Sequence, residues 1–568
     1  MFIRNFATDG CCVLEYRQRK KYKHTYKYKN MGIYINKGNT GFAGYTNGEY
    51  IDKTGMIAYI NSTLNTGNRL TCVTRPRRFG KSMAANMLCA YYDKSCDSSA
   101  LFDRFVIAKD ASYREHLNKY SVIYIDVTNF TTEYSGREDI IDILQAKVKA
   151  DVREAYTAID YDEDSSLMDV LLAISIHTGE KFIFIIDEWD ALCRELADKP
   201  SIMNEYVDLL RRMFKSNDTP IVFAGVYMTG ILPIKKYGTQ SALNDFREYS
   251  MTCAGPLAPY FGFLPEEVER LVRKRDGFYN MLKCWYDGYI LDDNGWDGTQ
   301  FKLLRYHIYN PNSVMHAFMF GQCDNYWAQT ESFESLRQYI DNDFDGVKET
   351  LQSLIDGKPV KISTLTFGND MNQINSRDEL FTLMVHLGYV SYNSADHTVS
   401  FPNMEVRMEI LEAIRNSRRH KELAELIKAS DRLLQATQDM DEQAVKEAVE
   451  YVHNHKVAPN FYNNEQALRS VVRMAYLTAI DDYQDIQELP TGKGYADIVY
   501  LPRPLSSYPA LVIELKWNES VNTAIDQIRE RDYPEMLKPF SDNILLVGIS
   551  YDKDTKAHEC RIERITKE

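Results

Sequence analysis

The segment that most constrains the fold of this chain is a basic loop between a β-rich run and a helical pattern. The run Leu70–Thr74 leads into residues 75–82, RPRRFGKS, and residues 83–93 continue with helical character. A strand, a loop that ends in Gly-Lys-Ser and a helix form the local context of a phosphate-binding loop. The segment therefore predicts an α/β domain with a phosphate site at the start of a helix.

The residues of this loop have different expected roles. Backbone groups around Arg78 and Gly80, next to the helix N-terminus, are expected to hold phosphate oxygens. Lys81 is expected to meet the β- and γ-phosphates of ATP, and the Ser82 hydroxyl to ligate Mg²⁺. The first glycine of the general GxxxxGK[ST] pattern is replaced by Arg75. Taken alone, the loop is also compatible with a basic turn before an ordinary helix.

An acidic motif about a hundred residues later favours nucleotide binding. The apolar run Lys181–Ile186 is followed by residues 187–190, DEWD. Carboxylates at the carboxyl tip of a central parallel strand lie where such sheets bind ligands. We predict that Asp187 holds Mg²⁺ through water and that Glu188 polarises the attacking water. The alternative is that these acids only cap the next helix.

Apolar β-rich runs alternate with helical patterns over residues 31–249. Ser121–Val127 and Ile221–Thr229 are further β-rich runs, and residues 139–156 carry apolar residues at helical spacing. This alternation predicts a parallel sheet with helices on both faces. Thr229, at the end of the last run, is predicted to be a polar sensor near the γ-phosphate.

Two carboxylates and a lysine lie on predicted strands near the end of the chain. Residues 494–501 contain Asp497, and Ala510–Trp517 contains Glu514 and Lys516. Glu514 and Lys516 share one face of their strand because strand side chains alternate, and pairing of the two runs would bring Asp497 close to Glu514. Two carboxylates suit Mg²⁺. The lysine could orient an attacking water or neutralise charge that develops on a phosphodiester.

Two residues of the neighbouring helices are assigned to the same site. Glu465 begins the preceding helix and is predicted to reach the same metal, and Gln527 is predicted to position the lysine or the scissile phosphate. The order helix–strand–strand–helix favours a nuclease-type site over an amphipathic hairpin with a surface Glu–Lys pair. His453 and His455 are interpreted as part of the solvated end of a long charged helical stretch, Met404–Tyr451, and not as metal ligands.

Further motifs stand in a fixed order along the chain: YIDKT at 50–54 precedes the loop, and SALN at 241–244, WYDGY at 285–289 and YNPNSV at 309–314 lie between the two sites. Together with the loop, the DEWD motif and the C-terminal carboxylates, they resemble a family of bacterial proteins with an AAA-ATPase-like domain followed by a PD-(D/E)XK nuclease-type domain. The resemblance extends from about Gly32 to the end of the chain, and the family also has an arginine at the position of Arg75. It implies nucleotide roles for Lys81, Ser82, Asp187 and Glu188, and nuclease roles for Asp497, Glu514 and Lys516.

Chain length and composition limit the remaining choices. With 568 residues the chain is long enough for several domains. Its net charge of −14 means that a nucleic-acid site has to be a local basic surface on an acidic body. The longest apolar stretch, residues 221–234, is interrupted by glycines, polar residues and a proline, so we expect no membrane-spanning segment. The ten cysteines include no CxxC pair, which favours the cytoplasm.

These observations predict four regions. Residues 1–30 form a basic extension, 31–250 an AAA-ATPase-like P-loop domain, 251–457 a mainly helical lid or coupling region, and 458–568 a mixed α/β, restriction-endonuclease-like domain. The extension carries eight Lys or Arg residues against two acids, with tyrosines between them. We expect that it does not pack on the ATPase-like domain and that Met31 is the natural start. A basic arm that binds nucleic acid is the alternative.

The expected function is an ATP-binding, Mg²⁺-dependent nuclease in which the nucleotide state of the first domain gates cleavage by the last. The expected partner is nucleic acid, DNA first, and an AAA-like module is also compatible with a homo-oligomer. One alternative is a non-enzymatic ATP-dependent switch whose nuclease-like domain only binds nucleic acid or protein. Another is a nuclease whose P-loop domain neither binds nor hydrolyses ATP. DNA or RNA as substrate and the biological pathway stay open.

Overall fold

The structure is a computed structural model that describes residues 32–566, with gaps inside that range. The gaps are residues 163, 197–198, 235–242, 276, 297–298, 328–339, 342–343, 345, 369–373, 418, 457–463, 487–489, 492–493, 504–505, 531–536 and 538–542. The expectations for residues 1–30 and for Met31 lie outside the described residues.

The first region is built on a five-stranded parallel sheet with the strand order β2-β3-β4-β1-β5. The strands are β1 (Leu70–Thr74), β2 (Ser121–Asp126), β3 (Phe182–Asp187), β4 (Phe223–Gly230) and β5 (Arg247–Tyr249). Strands β1, β3 and β4 are buried along their whole length, as expected for strands covered by helices on both faces. This arrangement confirms the predicted parallel sheet, with strand bounds shifted by one or two residues.

Helices cover both faces of this sheet, and each face has its own apolar core. One core includes Ile141, Leu171 and Leu209, and the other includes Ile57, Leu88 and Tyr92. The helices of this region are Thr40–Tyr45, Gly55–Thr63, Lys81–Tyr92, Ser99–Phe102, Tyr113–His116, Val127–Glu133, Ile140–Ala155, Leu167–Thr178, Ala191–Glu195, Pro200–Phe214 and Thr219–Val222.

The middle region is mainly helical, as predicted, but it also contains strands that the sequence did not indicate. It contains a hairpin of β6 (Tyr289–Trp296) and β7 (Phe301–Ile308), and a small antiparallel sheet joins β8 (Val360–Lys361), β9 (Ser391–Asn393) and β10 (Thr398–Ser400). The helices are Pro265–Val272, Phe278–Tyr286, Pro311–Phe320, Val347–Ile355, Arg377–Leu387, Met404–Arg415, Lys421–Gln438 and Glu442–Lys456. The single long helical stretch predicted from Met404 to Tyr451 is therefore three helices.

The last region contains a mixed five-stranded sheet with the order β11-β14-β15-β16-β17. The strands of the region are β11 (Tyr483–Ile486), β12 (Pro490–Thr491), β13 (Gly494–Tyr495), β14 (Ile498–Pro502), β15 (Ala510–Trp517), β16 (Asn543–Asp552) and β17 (Ala557–Thr566), and its helices are Glu465–Ala475, Ala479–Asp482 and Val521–Glu530. β14 pairs antiparallel with β15, which pairs parallel with β16. The predicted hairpin is therefore present.

One interpretation of the middle region was wrong. His453 was expected on a solvated helix end, but its ring lies 5.1 Å from the rings of both Tyr551 and His558. The helix packs against the last sheet, because Glu442 Oε1 and Glu450 Oε1 accept hydrogen bonds from backbone N–H groups of β17. Charged residues along a helix thus do not exclude a buried face on the same helix. Among the described residues, no helix is long and apolar enough to cross a membrane.

Candidate active sites

The loop before the helix Lys81–Tyr92 has the backbone geometry of a tight turn. Gly80 has a φ of +91° and Arg78 a φ of +64°, both in the left-handed region. Glycine adopts that region at no steric cost, whereas arginine does not, so the conformation of Arg78 has to be held by its surroundings. The N-terminal N–H groups of the helix follow directly, as a phosphate site requires.

Arg75, at the position of the missing glycine, is a structural residue. Its side chain is fully buried, and NH1 donates to the carbonyl oxygens of Thr74 and Tyr249, both at 2.8 Å. The guanidinium lies 5.3 Å from the ring centre of Phe261. Burial lowers the pKa of Arg75 to about 10. Arg75 therefore ties the start of the loop to the ends of β1 and β5.

The structure brings the lysine of the loop and the acidic motif together. Lys81 Nζ lies 3.2 Å from Glu188 Oε1 and donates to the Pro76 carbonyl at 3.1 Å. Burial disfavours ionisation of Glu188, but the positive charges of Lys81 and Arg194 outweigh it and lower its pKa. Glu188 therefore stays ionised, as a residue that polarises water must be.

Asp187 is a buried carboxylate beside the helix N-terminus. Its Oδ2 accepts a hydrogen bond of 2.9 Å from the Tyr124 hydroxyl, and its Oδ1 is buried with no hydrogen-bond partner among the described residues. Burial raises the pKa of Asp187 to about 6, and the neighbouring Ser82 hydroxyl opposes part of this rise. A buried carboxylate oxygen without a donor, next to a serine hydroxyl, fits the oxygen ligands that Mg²⁺ prefers.

Thr229 lies at the same edge of the sheet. It is fully buried near the end of β4, and its carbonyl accepts a hydrogen bond of 2.8 Å from the Trp189 N–H. Its hydroxyl has no hydrogen-bond partner among the described residues. The position agrees with a polar sensor, and that role stays a prediction.

A cleft of about 860 Å³ opens from Lys81, Ser82 and Glu188. Its apolar part is lined by residues of the first and the middle region, among them Tyr45, Tyr50, Tyr260, Phe263 and, on the helix Pro311–Phe320, Met315. Arg78 NH1 donates to Asn312 Oδ1 at 3.2 Å across the cleft. Ligand pockets of this size and mixed lining suit a nucleotide, with phosphates at the polar end and the base at the apolar end.

Sequence reasoning missed Arg194. This side chain is 10% exposed, and its NH2 lies 2.7 Å from Glu188 Oε2 while its Nε lies 3.1 Å from Asp190 Oδ2. Asp190 in turn accepts hydrogen bonds from the N–H groups of Ile231 and Leu232, just after β4. The available signal was the four-residue spacing between Asp190 and Arg194, which places two residues on one helix face.

The C-terminal carboxylates and lysine are buried. The alternative of an amphipathic hairpin with a surface Glu–Lys pair required them to be exposed. Asp497, Glu514 and Lys516 are 6%, 2% and 7% exposed. Lys516 Nζ donates a hydrogen bond to Gln527 Oε1 at 2.6 Å and lies 3.8 Å from Glu514 Oε1. Gln527 Nε2 donates to the same Glu514 oxygen. Gln527 therefore connects the lysine and the glutamate, as the prediction that it positions the lysine requires.

Asp497 makes contacts on both of its oxygens. Its Oδ2 accepts a hydrogen bond of 2.8 Å from the Leu515 N–H, and its Oδ1 is paired with Arg469 NH2. Arg469, which sequence reasoning also missed, is one helical turn after Glu465. Burial and the negative charge of Asp497 raise the pKa of Glu465.

The predicted metal ligands of this site are not assembled into one cluster. Over the described ranges, no three His, Cys, Asp or Glu side chains lie close enough together to hold a metal ion. The donor set of Asp497 and Glu514 still fits Mg²⁺, which binds one or two carboxylates and completes its shell with water. A metal shared with Glu465 stays a prediction.

Two separate parts of the chain match family models. A family model described as predicted AAA-ATPase matches residues 44–239, and a model of the PD-(D/E)XK nuclease superfamily matches residues 463–560. A protein of Azotobacter chroococcum mcd 1, described as an uncharacterized protein in the vnfD 5′ region, is 21% identical over 294 residues. That match covers 50% of this chain and 50% of the relative, so the chain spans about half the length of the curated relative it matches.

Among solved structures, the Aeropyrum pernix ORC2 protein in its ADPNP–ADP complexes overlaps 64% of this chain and 93% of its own, with 11% identity and a TM-score of 0.23. The two family matches contain the two sets of site residues: Lys81 and Glu188 lie in the first, and Asp497 and Glu514 in the second. This chain therefore joins an AAA-ATPase-like domain to a domain of the PD-(D/E)XK nuclease superfamily.

Proposed function

We propose that this protein binds and hydrolyses ATP in its first domain and cleaves nucleic acid in its last, and that the nucleotide state gates the cleavage. The single observation that carries the proposal is the meeting of Lys81 and Glu188, from two separate motifs, at one end of a nucleotide-sized cleft. Magnesium, held by Ser82 and Asp187, would neutralise charge on the phosphates.

At the first site, residues of this chain have three proposed roles: they bind phosphate, orient the attacking water and contact the γ-phosphate. The N–H groups at the start of the helix Lys81–Tyr92 and the Lys81 ammonium bind phosphate oxygens. Glu188, which its cationic neighbours keep ionised, accepts a hydrogen bond from the attacking water and orients it. The buried Thr229 hydroxyl is available to contact the γ-phosphate.

At the second site the proposed substrate is a phosphodiester, DNA first. Magnesium on Asp497 and Glu514 would act as a Lewis acid toward the scissile phosphate. Lys516, held by Gln527, places a positive charge beside Glu514, where it can orient water and balance charge that develops in the transition state. The pairing of Gln527 with both residues keeps the lysine in one position.

A continuous apolar core supports coupling between the two sites. Phe79 of the phosphate loop is 1% exposed, and its ring centre lies 5.1 Å from that of Tyr289 in the middle region. The same cluster of buried residues contains Ile513 and Leu515, which flank Glu514 on β15. Since packed cores move between discrete arrangements, a change in the loop on nucleotide binding can reach the second site through this core.

A cleavage assay tests the nuclease half of the proposal. The wild-type protein should cut at least one of single-stranded DNA, double-stranded DNA and RNA in Mg²⁺, and Glu514→Gln should remove the activity because an amide is a poor Mg²⁺ ligand. ATP turnover by the wild-type protein and its loss in Glu188→Gln test the other half. Equal activity of wild type and variant in either assay would contradict the corresponding role.

A second candidate is a non-enzymatic switch whose last domain only binds nucleic acid or protein. The observation that favours it is that both oxygens of Asp497 are engaged by protein donors. Tight binding of DNA with no cleavage in Mg²⁺ or Mn²⁺, and no effect of Glu514→Gln on that binding, would support the switch. A cytoplasmic location and a homo-oligomeric state are kept as proposals.

A further inference from the structure

Glu188 contacts two cations, Lys81 and Arg194, through different carboxylate oxygens. Its Oε1 lies 3.2 Å from Lys81 Nζ, and its Oε2 lies 2.7 Å from Arg194 NH2. All three side chains are largely buried, with exposures of 3% for Lys81, 19% for Glu188 and 10% for Arg194. Water therefore screens these charges less than it would on an open surface.

Lys81 cannot bind a phosphate and keep its full pairing with Glu188. A carboxylate and a phosphate oxygen are competing acceptors for the same ammonium group. Any group that draws Glu188 away from Lys81 therefore favours phosphate binding, and Arg194 contacts the other oxygen of the same carboxylate at the shorter distance.

Arg194 itself is anchored. Its Nε lies 3.1 Å from Asp190 Oδ2, and Asp190 is fully buried. The Asp190 carboxylate accepts hydrogen bonds from Leu232 N at 2.8 Å and from Ile231 N at 3.2 Å. Arg194 is therefore tied to the backbone that follows β4 and cannot follow Glu188 toward Lys81.

We propose that Arg194 is a positioning residue of the nucleotide site: by holding Glu188 Oε2, it limits the pairing of Glu188 with Lys81 to the other oxygen and so leaves the lysine available for the phosphates of ATP. This inference rests on the proposed function, because it assigns ATP to Lys81. It adds a specific mechanism: Arg194 promotes ATP binding through Glu188 and not by attracting the phosphates directly.

A double-mutant cycle in ATP affinity separates these two mechanisms. Arg194→Ala in the wild-type background should weaken Mg-ATP binding about tenfold, measured by calorimetry, because Glu188 then pairs fully with Lys81. In the Glu188→Gln background the same substitution should change the affinity less than about twofold, since no carboxylate is left to compete. Arg211→Ala, an exposed arginine on the helix Pro200–Phe214, is the matched control and should leave the affinity unchanged in both backgrounds.

Equal loss of affinity in both backgrounds would overturn the proposal, because it would mean direct attraction or a general structural defect. No loss in the wild-type background would overturn it as well. If the wild-type protein binds no ATP, the proposed function fails, and the same four proteins are compared by melting temperature without nucleotide. Arg194→Ala should then lower the melting temperature more in the wild-type background than in the Glu188→Gln background, and additive shifts would reject the pairing.

Discussion

The two candidate sites are assembled in different ways. At the nucleotide site Lys81 and Glu188 lie more than a hundred residues apart in the chain and meet because β1 and β3 run parallel in one sheet, so that their carboxyl ends share an edge. At the nuclease-like site, Glu514, Lys516 and Gln527 come from one strand and the helix that follows it. The first site therefore depends on the order of the sheet, whereas Glu514, Lys516 and Gln527 of the second are brought together by one strand and the next helix, and only Asp497 comes from the neighbouring segment.

Both sites pair a carboxylate with an arginine, but the two arginines differ in freedom. Arg194 is 10% exposed and is tied to a second, buried carboxylate, Asp190. Arg469 is 37% exposed and pairs with Asp497 alone among the carboxylates of the described chain. We therefore expect Arg194 to be held in place more firmly than Arg469, and predict that Arg469 competes with a metal for Asp497.

The largest expected effect concerns Lys516. Lys516→Ala should reduce Mg²⁺-dependent cleavage about 1,000-fold, because it removes a buried cation from the reacting phosphate, while Mg²⁺ affinity changes little because an ammonium group does not ligate the metal. Cleavage rates and metal titrations check this. Lys553→Ala, an exposed lysine of the same domain, is the control. A loss of metal binding in Lys516→Ala would indicate a structural role instead.

The next effect concerns the nucleotide site and tests whether the two sites bind their ligands independently. Lys81→Ala should weaken ATP binding about 100-fold, since a charged hydrogen bond to phosphate is lost. Metal binding at the Asp497–Glu514 site should be unchanged. Calorimetry with Mg-ATP and, separately, with Mg²⁺ alone measures both quantities, with the exposed Lys119→Ala as control. Normal ATP affinity in a folded Lys81→Ala protein would remove the phosphate-loop assignment.

A smaller effect tests the difference between the two arginines. Arg469→Ala should strengthen Mg²⁺ binding at the nuclease-like site about fivefold, the size expected for a partly exposed ion pair that the metal no longer has to break. The titration is made without ATP, and the signal that remains in Asp497→Ala is subtracted. Arg473→Ala, one turn later on the same helix, should have no such effect. Weaker metal binding in Arg469→Ala would show that Arg469 supports the metal site.

The smallest expected effect concerns the middle region that connects the sites. Glu405 is fully buried, and burial raises its pKa from 4.5 to about 8. The folded protein therefore holds this proton more tightly than the unfolded chain, so its stabilising contribution is complete below pH 4.5 and is lost as the pH rises toward about 8. The side chain of Glu405→Gln cannot ionise. When the pH rises from 4.5 to about 8, the melting temperature of this variant should therefore fall less than that of the wild type, by a few degrees. Glu412→Gln, exposed on the same helix, should behave like wild type.

Much of the architecture was predictable because the pattern of apolar residues is clear. The strands β1, β3 and β15 are mainly apolar runs bounded by turns. Asp187 and Glu514 lie on two of these strands, and Lys81 begins the helix after the loop that follows β1. The hairpin β6–β7 was missed because Tyr289–Trp296 contains two aspartates, an asparagine and a glycine, which disfavour strands. Its pairing across eight residues comes from tertiary context.

The two arginines were missed for a different reason. Arg194 and Arg469 lie on helices, and their partners depend on which way each helix turns toward the sheet. The four-residue spacings Asp190–Arg194 and Glu465–Arg469 place each pair on one helix face, but they do not reveal that the arginine also contacts a second carboxylate, Glu188 or Asp497. The contact of Arg469 with Asp497 depends on how the helix packs on the sheet, and that of Arg194 with Glu188 depends on the turn between β3 and the next helix.

The central claim is that the nucleotide state gates cleavage, and single-turnover cleavage by Glu188→Gln tests it most directly. This variant should bind ATP without hydrolysing it, so the ATP-bound and nucleotide-free states can be compared in one protein. We expect the two cleavage rates in Mg²⁺ to differ at least about tenfold, the size of a typical coupling free energy, and Lys81→Ala to cleave at one rate with or without ATP. Equal rates with and without ATP in Glu188→Gln, with ATP binding verified by calorimetry, would contradict the account.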